Sequence, residues 1–545
     1  MLPLSARNYD ALNREFQWSL PDRYNIGVDV CTRWATTDPD RTALLYLDGY
    51  GDTHRYTFEQ IHALSNQLAH VFRSYDVRAG DRVGVLLPQA PETAIAHVAA
   101  FKAGCISIPL FTLFGEEALR FRLSDSGARV VVTNRQGAAR LAAIRAHLPA
   151  LKVVLTIDGT ADGSVDMAAG MARFSTEFCA HDTSCDDPAV IIYTSGTTGN
   201  PKGALHAHRV LPGHLPGVEM SHNGLPHEGD RFWTPADWAW IGGLFDVLMP
   251  AWHHGIAVVA HRFEKFSAAA AFQLMQDFQV RNTFLPPTAL KLMRAEPDPG
   301  SRWRLALRSV ASGGESLGAE LLSWGEQTFG LTINEFYGQT ECNMTVSSCA
   351  GLAPPKAGVI GRPVIGHCVA VVDDSGNELP RGELGQIAVR RPDPVMFLGY
   401  WGNPQATADK FVNDWLLTGD TGRMDNEGYV QFVGRNDDVI TSAGYRIGPG
   451  EIEDSLLRHP AVKMVAVIGA PDPERTEVVV AVIVLHEHFQ ASDTLKKELQ
   501  NHVKRHLAAH EYPREIYFVP ELPLTTTGKI IRRELRDHVI GWRAC

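Results

Sequence analysis

Eleven consecutive residues carry the densest chemistry in the chain: Tyr193-Thr194-Ser195-Gly196-Thr197-Thr198-Gly199-Asn200-Pro201-Lys202-Gly203. Its three glycines let the backbone turn back and aim its N–H groups at one point. Four hydroxyls, on Thr194, Ser195, Thr197 and Thr198, add short donors, and Lys202 adds a mobile positive charge. Such a loop is a cradle for phosphate. It is not a Walker A loop, which ends in Gly-Lys-Ser/Thr; here Pro201 precedes Lys202 and Gly203 follows it. The apolar run Ala189-Val190-Ile191-Ile192 before it reads as a buried strand.

Other groups gain meaning beside a phosphate site. In Glu335-Phe336-Tyr337-Gly338-Gln339-Thr340-Glu341 a carboxylate stands next to hydroxyls and could hold Mg²⁺ through oxygen ligands; alone it reads as a loop. Gly313-Gly314-Glu315-Ser316 reads as a strand-to-helix turn. In Thr418-Gly419-Asp420 the carboxylate can accept from a pair of hydroxyls; alone it is a Gly-Asp turn. Gly434-Arg435-Asn436-Asp437 leads to Ala443-Gly444-Tyr445-Arg446, a turn before a helix start with Pro449 in its first turn. Lys529, in Thr527-Gly528-Lys529-Ile530, would by itself be an exposed lysine before a basic helix. His206, His208, His253 and His254 lack a carboxylate or cysteine at ligand spacing and read as exposed or core-edge side chains rather than a metal site.

Elements must position these groups. At 545 residues the chain exceeds one ordinary core. Apolar and charged fractions of 45% and 21% belong to a globular protein, and a net charge of −11 without a basic block argues against nucleic acid as a main partner. Eight scattered cysteines without a Cys-x-x-Cys pair fit reduced thiols in a cytoplasm. No signal peptide is evident at the start, and no apolar run reaches the about 18 residues of a membrane span. Strands at 81–87, 105–109 and 130–133 alternate with helices at 61–75, 94–103 and 118–125, and the rhythm resumes over 258–311. This implies doubly wound, mostly parallel sheets. From Gly366 short alternating runs suggest a small β-barrel or meander. Past Arg435 about 110 residues read as a separate α+β unit. The expected division is an N-terminal domain, 1–435, and a smaller mobile domain, 436–545.

The ordered string at 193–203 resembles the signature loop of the adenylate-forming superfamily, and the other motifs follow in that family's order from about residue 25 to 535. The nearest resemblance is to medium-chain acyl-CoA synthetases, themselves similar to acetyl-CoA synthetases. That resemblance implies a nucleotide site of Thr194, Ser195, Gly196, Thr197, Thr198, Gly199 and Lys202 on the phosphates. Gly314, Glu315, Ser316, Glu335, Phe336, Tyr337, Gly338 and Gln339 lie around adenine, with Ser316 where the family carries Pro. It further implies Thr340 on the α-phosphate, Glu341 with Thr198 on Mg²⁺, Asp420 on the ribose and Arg435 on ribose or phosphate. Asp437 becomes a hinge, Ala443, Gly444, Tyr445 and Arg446 meet CoA, and Lys529 becomes the catalytic lysine, open to a lysine acetyltransferase as an off-switch.

The segment Asp237-Trp238-Ala239-Trp240-Ile241-Gly242-Gly243 resembles the family's acyl-pocket segment. Trp238, Trp240, Ile241, Gly242, Gly313 and Gly338 would line that pocket. Acetyl-CoA synthetases carry Trp at the position of Gly338, so glycine there implies a deeper pocket. Each extra buried CH₂ adds ~0.8 kcal/mol, which points to medium-chain, branched or aryl acids. The implied activity is ATP-dependent, AMP-forming acyl-CoA synthesis, with ATP, CoA and Mg²⁺. Two alternatives stay open: transfer of the acyl group to a carrier-protein thiol, and a nucleotide-binding regulator without turnover.

Overall fold

A computed structural model describes residues 2, 8–194, 201–315, 317–353, 356, 358–435, 438–442, 445–472, 475–507, 512–524 and 530–544. Two large sheets and two small ones carry the chain. The first large sheet runs, in spatial order, Gly399–Tyr400, Gly203–Ala207, Pro188–Tyr193, Ile106–Pro109, Arg82–Leu86, Val130–Thr133, Val153–Thr156 and Val165–Asp166. Its centre is parallel, whereas Gly203–Ala207 returns antiparallel beside Pro188–Tyr193. Its central strands are buried along their length and mostly apolar, as in Val130–Thr133, because both faces are covered.

The second large sheet has nine strands. Its parallel centre is Thr42–Leu47, Ala257–Ala260, Arg231–Trp233, Asn282–Phe284, Ser309–Gly313 and Ile333–Gln339, with antiparallel strands at both edges. One apolar cluster joins the sheets, including Val83, Val130 and Val190 with Phe232, Val258 and Phe284. Helices Pro91–Lys102 and Val210–Ser221 are buried almost all round, as expected of helices enclosed in such a core. At the rim, Thr57 starts helix Phe58–Ser74 with a capping box: Gln60 N donates to Thr57 Oγ1 at 3.2 Å and Thr57 N to Gln60 Oε1 at 2.8 Å.

A five-stranded antiparallel sheet follows, from Val369–Val372, Gly385–Arg390, Phe411–Val412, Trp415–Met424 and Val430–Arg435. The last sheet pairs Val462–Asp472 with Thr476–Leu485 over ten residues each, flanked by Ile440–Ser442, Tyr445–Ile447 and Glu515–Phe518. Period-2 alternation sends Val465, Val467, Val479 and Ala481 against helices Pro449–Leu457 and Asp493–His506, and Ala466, Ile468, Val480 and Val482 against helix Arg532–Ala544.

Two motifs read as loops are strand. Glu335 to Gln339 complete strand Ile333–Gln339, with Thr340 and Glu341 at the tip of its hairpin to Cys342–Ser347. Asp420 lies within strand Trp415–Met424, where Gly419, at φ +76°, marks an irregularity next to the Thr421/Gly422 register shift.

Candidate functional site

Antiparallel register places Asp420 opposite Arg435, and Arg435 Nε lies 3.7 Å from Asp420 Oδ1. From the second large sheet, Tyr337 Oη donates to Asp420 Oδ2 at 2.5 Å. Enclosure, and then the Asp420 charge, push the Tyr337 phenol well above its ordinary range, so it remains a donor. Gln339 ties the same two sheets: its Nε2 donates to Thr418 O at 3.0 Å and its Oε1 accepts from Lys410 Nζ at 3.2 Å.

Glu341 is buried, and Tyr400 Oη donates to its Oε1 in a short contact. Phe397 N fixes the Glu341 carbonyl at 2.8 Å. Lys202 Nζ stands 5.1 Å from the Tyr400 ring centroid. Lys202, Tyr400 and Glu341 are therefore neighbours. Thr194 closes the neck of that loop, its N donating to Lys202 O at 2.9 Å and its Oγ1 at 3.3 Å.

On the opposite flank, strand Ser309–Gly313 ends at Gly314, whose φ of +100° favours glycine. Glu315 Oε2 lies 3.8 Å from Lys291 Nζ. Part-buried Glu335 accepts from Leu317 N at 3.2 Å through Oε1. Desolvation lifts its acid to about 8, and the charge of Asp454, from helix Pro449–Leu457, pushes the same way. Asp454 itself is lifted to about 6, chiefly by burial.

The proposed acyl-pocket residues converge on a wall of rings. Trp240 and Phe284 centroids are 5.9 Å apart, and Phe284 and Phe336 5.2 Å. Trp240, at the N-cap of helix Ile241–Gly243, and Phe284 stand where a Cβ on Gly242 would meet them at 3.2 and 3.0 Å. Phe336 stands 2.6 Å from the same point on Gly313. Trp238 is wholly buried. The vacancy expected at Gly338 does not exist: its Cβ would lie 2.3 Å from Met344 N and 2.7 Å from Asn343 Cα. Glycine there answers the close approach of two strands, beside Met344 at φ +54°, and does not deepen the pocket.

The histidines read as exposed or core-edge are mostly interior. His206, His208 and His254 are buried, because their strand and helix lie inside the enclosed core. His206 lies against the Thr340 backbone with neither ring nitrogen in hydrogen-bond geometry, and burial lowers it to about 3. His208 Nδ1 accepts from Ile26 N at 3.2 Å, and His253 Nδ1 faces Asp29 Oδ2 at 2.6 Å.

The pattern of the family described as AMP-binding enzyme matches residues 31–401, and that of the AMP-binding enzyme C-terminal domain matches residues 451–529. The chain belongs to the AMP-binding enzyme family. It is 34% identical to the acetyl-coenzyme A synthetase of Bacillus subtilis, over 98% of this chain and 95% of that one. It is 33% identical to the mitochondrial acyl-coenzyme A synthetase ACSM3 of Mus musculus, over 98% and 94%. Among solved structures, the anthranilate CoA ligase AuaEII in complex with anthranoyl-AMP superposes with a TM-score of 0.89 at 30% identity, covering 96% of this chain and 99% of that one.

Within this AMP-binding enzyme the structure brings together Thr194, Lys202, Glu341, Tyr337, Asp420, Arg435 and Gln339, with Gly314, Glu315 and Glu335 along one flank. Ser195, Gly196, Thr197, Thr198, Gly199, Ser316, Asp437, Ala443, Gly444 and Lys529 lie outside the described residues, as do the side chains of Tyr445 and Arg446. Tyr400 escaped the sequence reading. Its place depends on Gly399–Tyr400 pairing with Gly203–Ala207, almost 200 residues away, and no local pattern signals that. The place of Phe284 in the ring wall again follows from tertiary packing.

Proposed function

We infer that this AMP-forming acyl-CoA synthetase activates a medium-chain, branched or aryl carboxylic acid. The observation that carries the reading is the ring wall of Trp240, Phe284 and Phe336 beside the Tyr337–Asp420–Arg435 and Glu341 groups. An apolar acid slot next to ribose-binding and phosphate-binding groups suits capture of an acid by a nucleotide. The identities of its relatives favour CoA over a carrier-protein thiol.

In the proposed reaction Asp420 accepts the ribose hydroxyls, held by Tyr337 and flanked by Arg435. Residues 194–202 hold the phosphates, and Thr340 contacts the α-phosphate. Glu341, a buried carboxylate held by Tyr400, and Thr198 would hold Mg²⁺ through hard oxygen ligands. Bound there, the ion would offset phosphate charge. A carboxylate oxygen of the acid forms a bond to the α-phosphorus, and the bond to pyrophosphate breaks. Lys529 would supply positive charge as that happens. Rotation about Asp437 then withdraws Lys529 and brings Ala443–Arg446 to CoA. The CoA thiolate attacks the acyl carbonyl and AMP leaves. No protein nucleophile is needed; positioning and electrostatics supply the rate. Acetylation of Lys529 would remove its charge and stop adenylation. The reduced-thiol pattern suits a cytoplasmic setting.

The test is pyrophosphate release with Mg·ATP across short-chain, medium-chain, branched and aryl acids, each with and without CoA. Multiple turnover only with CoA supports the reading. A single stoichiometric burst that CoA does not extend points to another acceptor, and no release with any acid counts against catalysis.

A further inference from the structure

In sequence the hinge Asp437 and the lysine at 529 stand at opposite ends of the C-terminal unit. The described residues beside each of them meet. Asp438, next to the hinge, accepts from Arg536 Nη2 at 2.8 Å through Oδ1, and its Oδ2 lies 3.8 Å from Arg532 Nη1. Arg532 and Arg536 are four residues apart, one turn of helix Arg532–Ala544, so Asp438 spans both. Arg532 Nη2 also donates to both carboxylate oxygens of Glu453, at 2.7 and 2.9 Å. Glu453 Oε1 accepts from Val467 N at 2.7 Å as well. One guanidinium therefore ties helix Pro449–Leu457 and strand Val462–Asp472 to the residue that follows the hinge. Burial disfavours the Arg532 charge, yet Glu453 and Asp438 outweigh it and hold the guanidinium above its ordinary range.

Arg532 also stands at the base of the loop that carries Lys529. Leu524 and Ile530 pair as an antiparallel bridge, and Ile531 N donates to Pro523 O at 2.9 Å. Lys529 lies outside the described residues, but it directly precedes Ile530 and is three residues from Arg532, a reach of at most about 11 Å. The helix does not need its arginines to stay on the sheet, because Leu535 and Val539 seat it there. Arg532 and Arg536 turn to Asp438 instead.

We propose that Arg532 is a positioning residue for Lys529: by clamping Asp438 and Glu453 it fixes the base of the lysine loop to the hinge, so that rotation about Asp437 carries Lys529 in a constant register. The proposal rests on the roles given to Lys529 and Asp437 in the proposed reaction. The CoA-facing segment is set by the pairing of Ile440–Ser442 with Tyr445–Ile447, which does not pass through Arg532. The second half-reaction should therefore not depend on the clamp.

Single-turnover pyrophosphate release with Mg·ATP and octanoate or benzoate, whichever the wild type uses faster, reads the first half-reaction. Thioester formed from the matching synthetic acyl-adenylate and CoA reads the second. Arg532→Met should slow the first by about 10²-fold, the loss expected when a reacting group is misplaced by about 1 Å, and leave the second near the wild-type rate. Arg532→Lys keeps the charge but not the fork that spans two carboxylates, so it should recover only part of the loss. In a Lys529→Ala background Arg532→Met should slow the first half-reaction no further, because it acts through the missing group. Equal loss in both half-reactions for Arg532→Met and Arg532→Lys, the mark of a unit that has merely come apart, overturns the proposal. So does an undiminished first half-reaction in Arg532→Met, or a further loss in the Lys529→Ala background. If Lys529→Ala itself adenylates at the wild-type rate, the catalytic-lysine reading fails and the proposal with it; Lys529→Ala impaired with Arg532→Met intact rejects the proposal alone.

Discussion

Gly338→Ala is a small change with a large expected consequence. The added methyl would stand 2.3 Å from Met344 N, 2.7 Å from Asn343 Cα and 2.8 Å from Asn343 C, where ordinary contact begins at 3.4 Å. All three neighbours are backbone, so no side chain can swing aside. Strands Ile333–Gln339 and Cys342–Ser347 must part by about 1 Å, and the tip they share carries Thr340 and Glu341. Overpacking of this kind costs about 1–3 kcal/mol of stability. A 1 Å displacement of a reacting geometry costs about 10²-fold in rate. The assay is kcat for AMP formation at saturating acid, ATP and CoA, together with the urea midpoint. We expect kcat to fall about 10²-fold for short and long acids alike, and Gly338→Trp to behave worse. A Gly338→Ala enzyme with wild-type kcat that only rejects longer acids would refute the close-approach argument and restore an open acyl pocket at this position.

Three further expectations follow from the same geometry. Tyr337→Phe removes the 2.5 Å bond to Asp420, so KM for ATP should rise about tenfold with a smaller change in kcat; an unchanged KM would show that Tyr337 does not hold the ribose carboxylate. Glu335 has a folded acid near 8 against 4.5 in its ordinary state. Between those values the folded chain keeps a proton that the unfolded chain has lost, so its contribution to stability is lost as pH rises from about 4.5 to 8. Glu335→Gln should remove that dependence, gaining about 2 kcal/mol at pH 8 relative to pH 5 after allowance for solvent reaching the group; parallel wild-type and variant stability curves against pH would contradict it. Lys529→Ala should lower adenylation at least about 10²-fold yet spare thioester formation from supplied acyl-adenylate; equal loss in both half-reactions would reject domain alternation.

The sequence was legible where one physical rule dominated. Val130–Thr133 and Pro188–Tyr193 are apolar at nearly every position because both faces of their sheet are covered. The helix expected over 61–75 starts three residues earlier, at Phe58, where the Thr57–Gln60 capping box sets its first turn ahead of the apolar run. The motif 335–341 reads as a loop because Glu335, Gln339 and Thr340 interrupt the apolar pattern; its first five residues are strand, and Tyr337 and Gln339 bond to the neighbouring antiparallel sheet. Asp420 was hidden by Gly419, which reads as a turn but sits at an irregular point inside a strand. The tail past Lys529 reads as a basic helix, which it is, but its charge hides the face that Leu535 and Val539, four residues apart, bury. Glycines mislead most: a sequence shows that a side chain is missing, whereas the structure shows that rings occupy the space at Gly242 and Gly313 and backbone occupies it at Gly338.

The central claim is that the acid is activated through an acyl-adenylate before CoA takes it. Turnover of an acid labelled with ¹⁸O in both carboxylate oxygens, followed by mass spectrometry of the nucleotide and phosphate products, tests this most directly. The account predicts one ¹⁸O in AMP for each thioester formed and none in pyrophosphate. Label in orthophosphate or pyrophosphate, or thioester formed with unlabelled AMP, would contradict it.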